Sequence, residues 1–191
     1  MANANEILVG LVDIYYKAYD ATNNPISSDN TISWSGWTQL GYQSEDGLTD
    51  TVSTEVLEIE IPDVNAHSDQ IITLQTCEFT FSLMENDLAQ AALAMPGSTY
   101  TAGTLGDKEH KLGIGGKTAE DSFYSWGFVG LDRAGLSKVI FYPKAKASAG
   151  SMGRAHQKKG LSLRDFNMKA YIDTTGTAGQ QLRIEYAITS A

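Results

Sequence analysis

Few residues of this chain stand at spacings that support chemistry. The histidines, His67, His110 and His156, fall in three separate loop-like stretches, and no two have the spacing of a metal-ligand pair. Cys77 is the single cysteine. It sits in an alternating apolar run next to Phe79, the setting of a buried, inert thiol rather than a nucleophile. The run Gly113 to Thr118 (GIGGKT) suggests a phosphate-binding loop but fails on spacing. A phosphate loop needs glycine five residues before Gly116, where Lys111 stands, and a dinucleotide fingerprint needs it at Thr118. Glu58 and Glu60 are two apart on an expected strand, so they share a face and could form an acid/base pair. With no histidine or aromatic platform nearby in sequence, a charged wall explains them more simply. The sequence therefore predicts no enzyme, no cofactor and no metal.

The elements that carry these residues are β-strands. The chain has 191 residues, 42% of them hydrophobic, with 18 glycines and 4 prolines. That size and mix suit one domain over residues 1–191, rich in strands and turns. The longest apolar stretch, Ile7 to Ile14, is broken by Gly10 and Asp13. It falls short of the ~20 residues of a membrane-spanning helix, and no basic segment of a secretory leader precedes it. A lone cysteine is compatible with synthesis in a reducing cytoplasm.

Period-two alternation recurs along most of the chain. Ile14 and Tyr16 share a face of the first strand with Leu8 and Val12, while Asp13 and Lys17 take the other. Ile32 to Leu40 reads as a strand carrying Trp34 and Trp37. In Ile71 to Leu83, Cys77, Phe79, Phe81 and Leu83 line one face and Thr76, Glu78, Thr80 and Ser82 the other. Glu85 to Met95 reads as the one helix, with Leu88, Ala91, Ala92 and Met95 as its apolar stripe, ended by Pro96-Gly97. Phe123 to Leu131 and Leu136 to Tyr142 form a hairpin, and Phe166, Met168, Ala170 and Ile172 line a late strand. Leu182, Ile184, Tyr186 and Ile188 line the last. Mobile loops are expected near 20–31, 98–122 and 144–160. The sum is an all-β fold of about eight strands with one short helix, a β-sandwich or partly open barrel.

Charge is segregated along the chain. The net is −9, yet residues 1–130 carry 19 acidic residues against 4 lysines, a net of −15. Residues 131–170 carry 9 basic residues against 2 aspartates, a net of +7. Two separately solvated surfaces would explain this. An acidic face on one copy meeting a basic face on the next would explain it too, through a head-to-tail contact that closes rings or grows filaments. Lys144, Lys146, Arg154, Lys158 and Lys159 are the candidate contacts. This basic stretch lacks interleaved aromatic residues, so specific nucleic-acid binding is not predicted.

The run Trp37-Thr38-Gln39-Leu40-Gly41-Tyr42-Gln43-Ser44-Glu45-Asp46-Gly47-Leu48-Thr49 resembles a segment of the major tail tube proteins of long-tailed, siphovirus-type bacteriophages, particularly those of Gram-positive hosts. Trp37, Leu40, Gly41, Tyr42, Glu45, Asp46 and Gly47 carry that motif. Cys77 to Glu85 looks like the family's alternating Phe/Thr strand leading to a helix, and Phe141-Tyr142-Pro143 like its aromatic-Pro strand end. The resemblance spans roughly residues 8–188. Ile61-Pro62 departs from it, standing where the family often has tryptophan, as does the glycine-rich stretch 98–122.

The resemblance implies a fold like that of type VI secretion tubes. It also implies six-membered rings of this chain stacked into a tail tube, made in the host bacterial cytoplasm and carried in the virion. The implied partners are further copies of the chain, a tape-measure protein, a tail terminator and distal tail proteins. DNA passes through during genome ejection without specific binding. Phosphates near a channel wall lie within the Debye length of about 8 Å, so an acidic lining would keep a duplex sliding. Glu55, Glu58 and Glu60 are the first candidates for that lining and Glu78 the next. Alternatively, the 55–70 segment stacks the rings. The competing class is another β-sandwich virion protein, either a head-decoration protein or an adhesin or carbohydrate-binding module. The latter would need exposed aromatics in a cleft, and Trp34 and Trp37 are better suited to packing.

Overall fold

The computed structural model describes residues 13–27, 29, 31–41, 43, 47–61, 66–84, 88–103, 110–113, 122–131, 137–148, 154–155, 163–177 and 179–187. In chain order the elements begin with β1 (Asp13–Ala18), β2 (Thr38–Gln39), β3 (Thr49–Ile61) and β4 (Ala66–Leu83). After them come α1 (Leu88–Ala94), β5 (Thr99–Thr101), β6 (Lys111–Gly113), β7 (Tyr124–Leu131) and β8 (Ser137–Ala147). The last are β9 (Arg154–Ala155), β10 (Leu163–Ala170) and β11 (Ile184–Ala187). Nine strands form one antiparallel sheet, whose main path runs β2-β1-β7-β8-β10-β4-β3. The β5–β6 pair is separate. The protein is thus all-β with one short helix among the described residues, compatible with a sandwich, one of the two architectures that the alternation predicts.

The sheet divides at β8. One edge of β8 pairs with β7. The other edge is shared, with β11 on Lys138 to Phe141 and β10 on Ala145 to Ala147. Between them lies Pro143, which has no N–H for a ladder. There β8 supplies two residues, Pro143 and Lys144, opposite the single Ser125 of β7. The buried Ser125 hydroxyl donates to the Pro143 carbonyl at 2.7 Å and accepts from Asn23 Nδ2 at 3.0 Å. A bulge closed by a hydroxyl thus lets proline sit inside a strand.

The two arms fold over one another. Phe79 and Phe81 of β4 meet Trp126 and Phe128 of β7, although β8 and β10 lie between these strands in the sheet. Ile14, Leu40, Tyr142, Phe166 and Met168 complete the buried centre. The chain just past β2 returns to β4 through a bridge of Gln43 with Leu83, which partly closes the curl.

Several elements differ from the sequence expectations. Ile32 to Leu40 is a strand only at Thr38–Gln39. Trp34 to Trp37 is a turn closed by the Trp37 N–H on the Trp34 carbonyl at 3.0 Å, with Gly36 at φ 77° as a type II turn requires. The 98–122 stretch, expected as loop throughout, contains the β5–β6 pair. The described helix is Leu88–Ala94; Ala91 of the predicted stripe is buried, but Ala94 is buried beside it in place of Leu88, Ala92 and Met95, which are half-buried. Gly97, at φ 75°, follows it as expected of a helix end.

The turn at Trp34 has a steric consequence. Its indole stacks on Tyr15 with centroids 4.3 Å apart and lies over Gly127, the register partner of Tyr15. A Cβ on Gly127 would stand 2.6 Å from Trp34 Cζ3. Gly127→Ala is therefore expected to displace the indole and cost about 1–3 kcal/mol, the range of core overpacking. Urea unfolding checks this, and an unchanged midpoint would show that the stack yields freely.

Candidate assembly surface

β3 and β4 pair in register from Thr49–Thr80 out to Ile61–Ala66. Their sequences, rich in threonine, valine, isoleucine and glutamate, favour a strand over a helix. Among the described residues of this hairpin, burial is confined to its base. Cys77, Phe79, Phe81 and Leu83 of β4 face the core as predicted, while Glu78 and Thr80 face out. From Thr51 to Ile59 and from Ile71 to Gln75, every residue is exposed, on both faces of the ribbon.

Apolar side chains are concentrated there. Val52, Val56, Leu57, Ile59, Ile71, Ile72 and Leu74 are all exposed, with Leu57 57% and Ile72 58% accessible. Among the described residues the other large exposed apolar side chains are Leu131 and Ile172. A two-stranded ribbon in water is marginally stable on its own. Exposed apolar side chains in this number, on both faces of one ribbon, are a feature of interaction sites. β3 is also the terminal strand of the sheet, with neither proline nor lysine along it. Such an edge is open to pairing with another strand. Opposite Glu55 and Val56, β4 carries an extra residue, Thr73, whose hydroxyl donates to the Glu55 carbonyl at 3.2 Å.

The candidate lining residues separate by face. Alternation places Glu58 with Val52 and Val56, and Glu55 with Leu57 on the reverse side, so Glu55 and Glu58 do not form one acidic wall. Both are exposed. Glu60 pairs through its backbone with His67, and its side chain lies outside the described residues. Glu78 shares the Glu55 face lower down, with Lys169 of β10 at 3.6 Å.

The basic candidates are partly engaged within the chain. The stretch from Lys144 was expected as a mobile loop, but Lys144 to Ala147 continue β8, with Ala145 and Ala147 facing in. Lys144 Nζ lies 4.6 Å from the Phe123 ring centroid and 5.1 Å from that of Tyr19. Lys146 Nζ lies 5.0 Å from the Tyr171 ring centroid. These are cation–π contacts, which hold the lysine stems against the sheet. Arg154 is in β9, opposite Arg164 of β10. Lys158 and Lys159 lie outside the described residues.

Of the resemblance motif, Trp37 packs edge-on to Trp34 and Phe141. Leu40 is buried, Gly41 is half-buried, and Gly47 has φ 73°. Tyr42, Glu45 and Asp46 lie outside the described residues. Trp34 and Trp37 are half-buried, packed on Tyr15, on each other and on Phe141.

One cluster at the hairpin base has no counterpart among the sequence candidates. The buried Tyr142 hydroxyl donates to Asp50 Oδ2 at 3.1 Å. Arg183 Nε lies 2.5 Å from the same oxygen, and its Nη2 donates to Glu185 at 2.7 Å. Burial, followed by the Asp50 charge, pushes the Tyr142 hydroxyl far up, so it stays a neutral donor. Burial also pushes the Cys77 thiol up to about 11, leaving almost no thiolate at neutral pH. His110 Nδ1 lies 2.9 Å from the Tyr100 hydroxyl. Among the described residues no group of His, Cys, Asp and Glu is arranged to hold a metal, and no helix is long and apolar enough to cross a membrane.

Comparison of the chain with protein-family models finds no match, and comparison with curated proteins finds none either.

Proposed function

We propose that this chain is a structural protein that assembles with copies of itself into six-membered rings, stacked into the tail tube of a long-tailed bacteriophage, a conduit for DNA. The observation that carries the self-assembly is the β3–β4 hairpin, which is apolar and acidic on both faces and ends in an open strand edge. The step from assembly to tail tube rests on the Trp37-to-Thr49 motif and the order of the later segments. A ribbon of this kind gains stability by laying its faces against a neighbouring copy.

Glu55 and Glu58 refine the idea of a channel wall. Because they take opposite faces, one ribbon face would turn Glu55, with Glu78 below it, toward the lumen. The other face, with Val56 and Ile72 beside Glu58, would turn toward protein. In this arrangement the protein carries no catalytic residue, and the tape-measure, terminator and distal tail proteins bind the finished rings.

Negative-stain microscopy of the purified protein, alone and at raised concentration, tests the proposal. Hollow tubes or six-fold rings are expected. A monodisperse monomer at every concentration would favour a discrete β-sandwich module of the virion instead.

A further inference from the structure

The hairpin leaves the body at one place, and the residues there are unusual for a strand. Asp50, the second residue of β3, stands opposite Phe79 on the inward face, where alternation calls for an apolar side chain. Its carboxylate is held from two other elements. Tyr142 of β8 donates to it at 3.1 Å, and Arg183, just before β11, pairs with it at 2.5 Å. The side chains of Arg183 and Asp50 are only 23% and 24% exposed. Arg183 is tied in turn to Glu185 of β11. Tyr142 is fixed by stacking on Phe79, with centroids 4.0 Å apart.

Directly beyond this cluster lies a cleft of about 270 Å³. Val52, Gln75 and Cys77 form its hairpin side, and Ile172, Leu182 and Arg183 its far side. The far side belongs to a loop folded on itself. Asp173 N–H donates to the Gln181 carbonyl at 3.0 Å, and the Asp173 carboxylate accepts the Thr175 hydroxyl at 2.5 Å. The loop is therefore a fixed wall, whereas on the hairpin side the ladder to β10 ends at Cys77, opposite Ala170, and Gln75 beyond it is exposed.

We propose that Asp50, Tyr142 and Arg183 form a latch that sets the angle at which the β3–β4 hairpin leaves the body, and that the hairpin pivots over the cleft when the latch opens. Charge-assisted contacts from separate elements fix a direction that a ribbon's own ladder leaves soft. Holding the hairpin at one angle before association lowers the ordering cost of docking. That purpose rests on the assembly reading above, whereas the latch itself is a property of the isolated chain.

Cys77 supplies the probe. It is the single cysteine, it is fully buried, and it borders the cleft. Its reaction with a disulfide reagent such as dithiobis(nitrobenzoate), below any assembling concentration, measures local opening. Asp50→Asn and Arg183→Gln are each expected to speed labelling about tenfold, beyond the rate that global unfolding allows. Tyr142→Phe, which removes one hydrogen bond, is expected to give a smaller rise.

The two charge variants separate opening from thiol acidity. The Asp50 charge raises the Cys77 thiol and the Arg183 charge lowers it. A change in acidity alone would therefore speed labelling in Asp50→Asn and slow it in Arg183→Gln. Acceleration in both supports the latch. Unchanged rates, opposite changes, or rates that track global unfolding overturn it. Faster labelling in a protein that never forms tubes would keep the latch and remove its assembly role. Tubes from a protein with unchanged labelling would do the reverse.

Discussion

Phe79→Ala is expected to lower stability by about 3–5 kcal/mol, the range for deleting a buried aromatic side chain. For a chain of this size that is a fall in melting temperature of roughly 6–20 °C. Phe79 is fully buried where the two arms of the sheet meet. It stacks on Tyr142 at 4.0 Å and meets Phe128 edge-on at 5.7 Å and Trp126 at 6.4 Å. Its removal leaves a cavity that no single strand can fill, because the rings around it come from β4, β7 and β8. Leu131→Ala is the control. Leu131 is 50% exposed, so its truncation is expected to cost within about 0.5 kcal/mol. Urea unfolding followed by tryptophan fluorescence compares the two. Equal midpoints would mean that the ring cluster does not hold the arms together.

Phe79 is also where sequence and structure agree best. The inward set Cys77, Phe79, Phe81 and Leu83 follows from alternation alone, because a strand packed on one face has no other way to hide four apolar side chains. The pattern misleads where a local device overrides it. Pro143 and the Lys-Ala steps after it read as the end of a strand, yet the Ser125–Pro143 bulge carries β8 on to Ala147. Trp34 and Trp37 read as strand residues, but Gly36 lets the backbone turn between them and lay Trp34 over Gly127.

The hairpin was half legible. Val56-Leu57 and Ile71-Ile72 are adjacent apolar pairs in facing strands, which means apolar side chains on both faces. That is a mark of a ribbon awaiting cover as much as of a buried strand. The Asp50–Arg183 pair was not legible at all. The partners are far apart in the chain, and only the fold brings a lone inward aspartate to a lone arginine.

The exposed pairs carry the second large expectation. Val56 and Ile72 face each other across the hairpin, on the face turned toward protein, and both lie outside the core cluster. In the double variant Val56→Thr/Ile72→Thr, both positions keep a β-branched side chain that favours strand, so the ribbon itself is retained. What is lost is apolar area available to a neighbour, worth about 1.5–3 kcal/mol for each side chain fully buried there. Two such losses per copy are expected to raise the concentration needed for assembly about a hundredfold or more. The urea midpoint of the body should move little, since neither residue touches its core. Sedimentation and negative-stain microscopy of the variant beside the parent protein decide the matter. Tubes at the parent's concentration would show that this face of the hairpin stays wet in the assembly. The contacts between copies would then run through the strand edge of β3, or through the opposite face with Leu57 and Ile71.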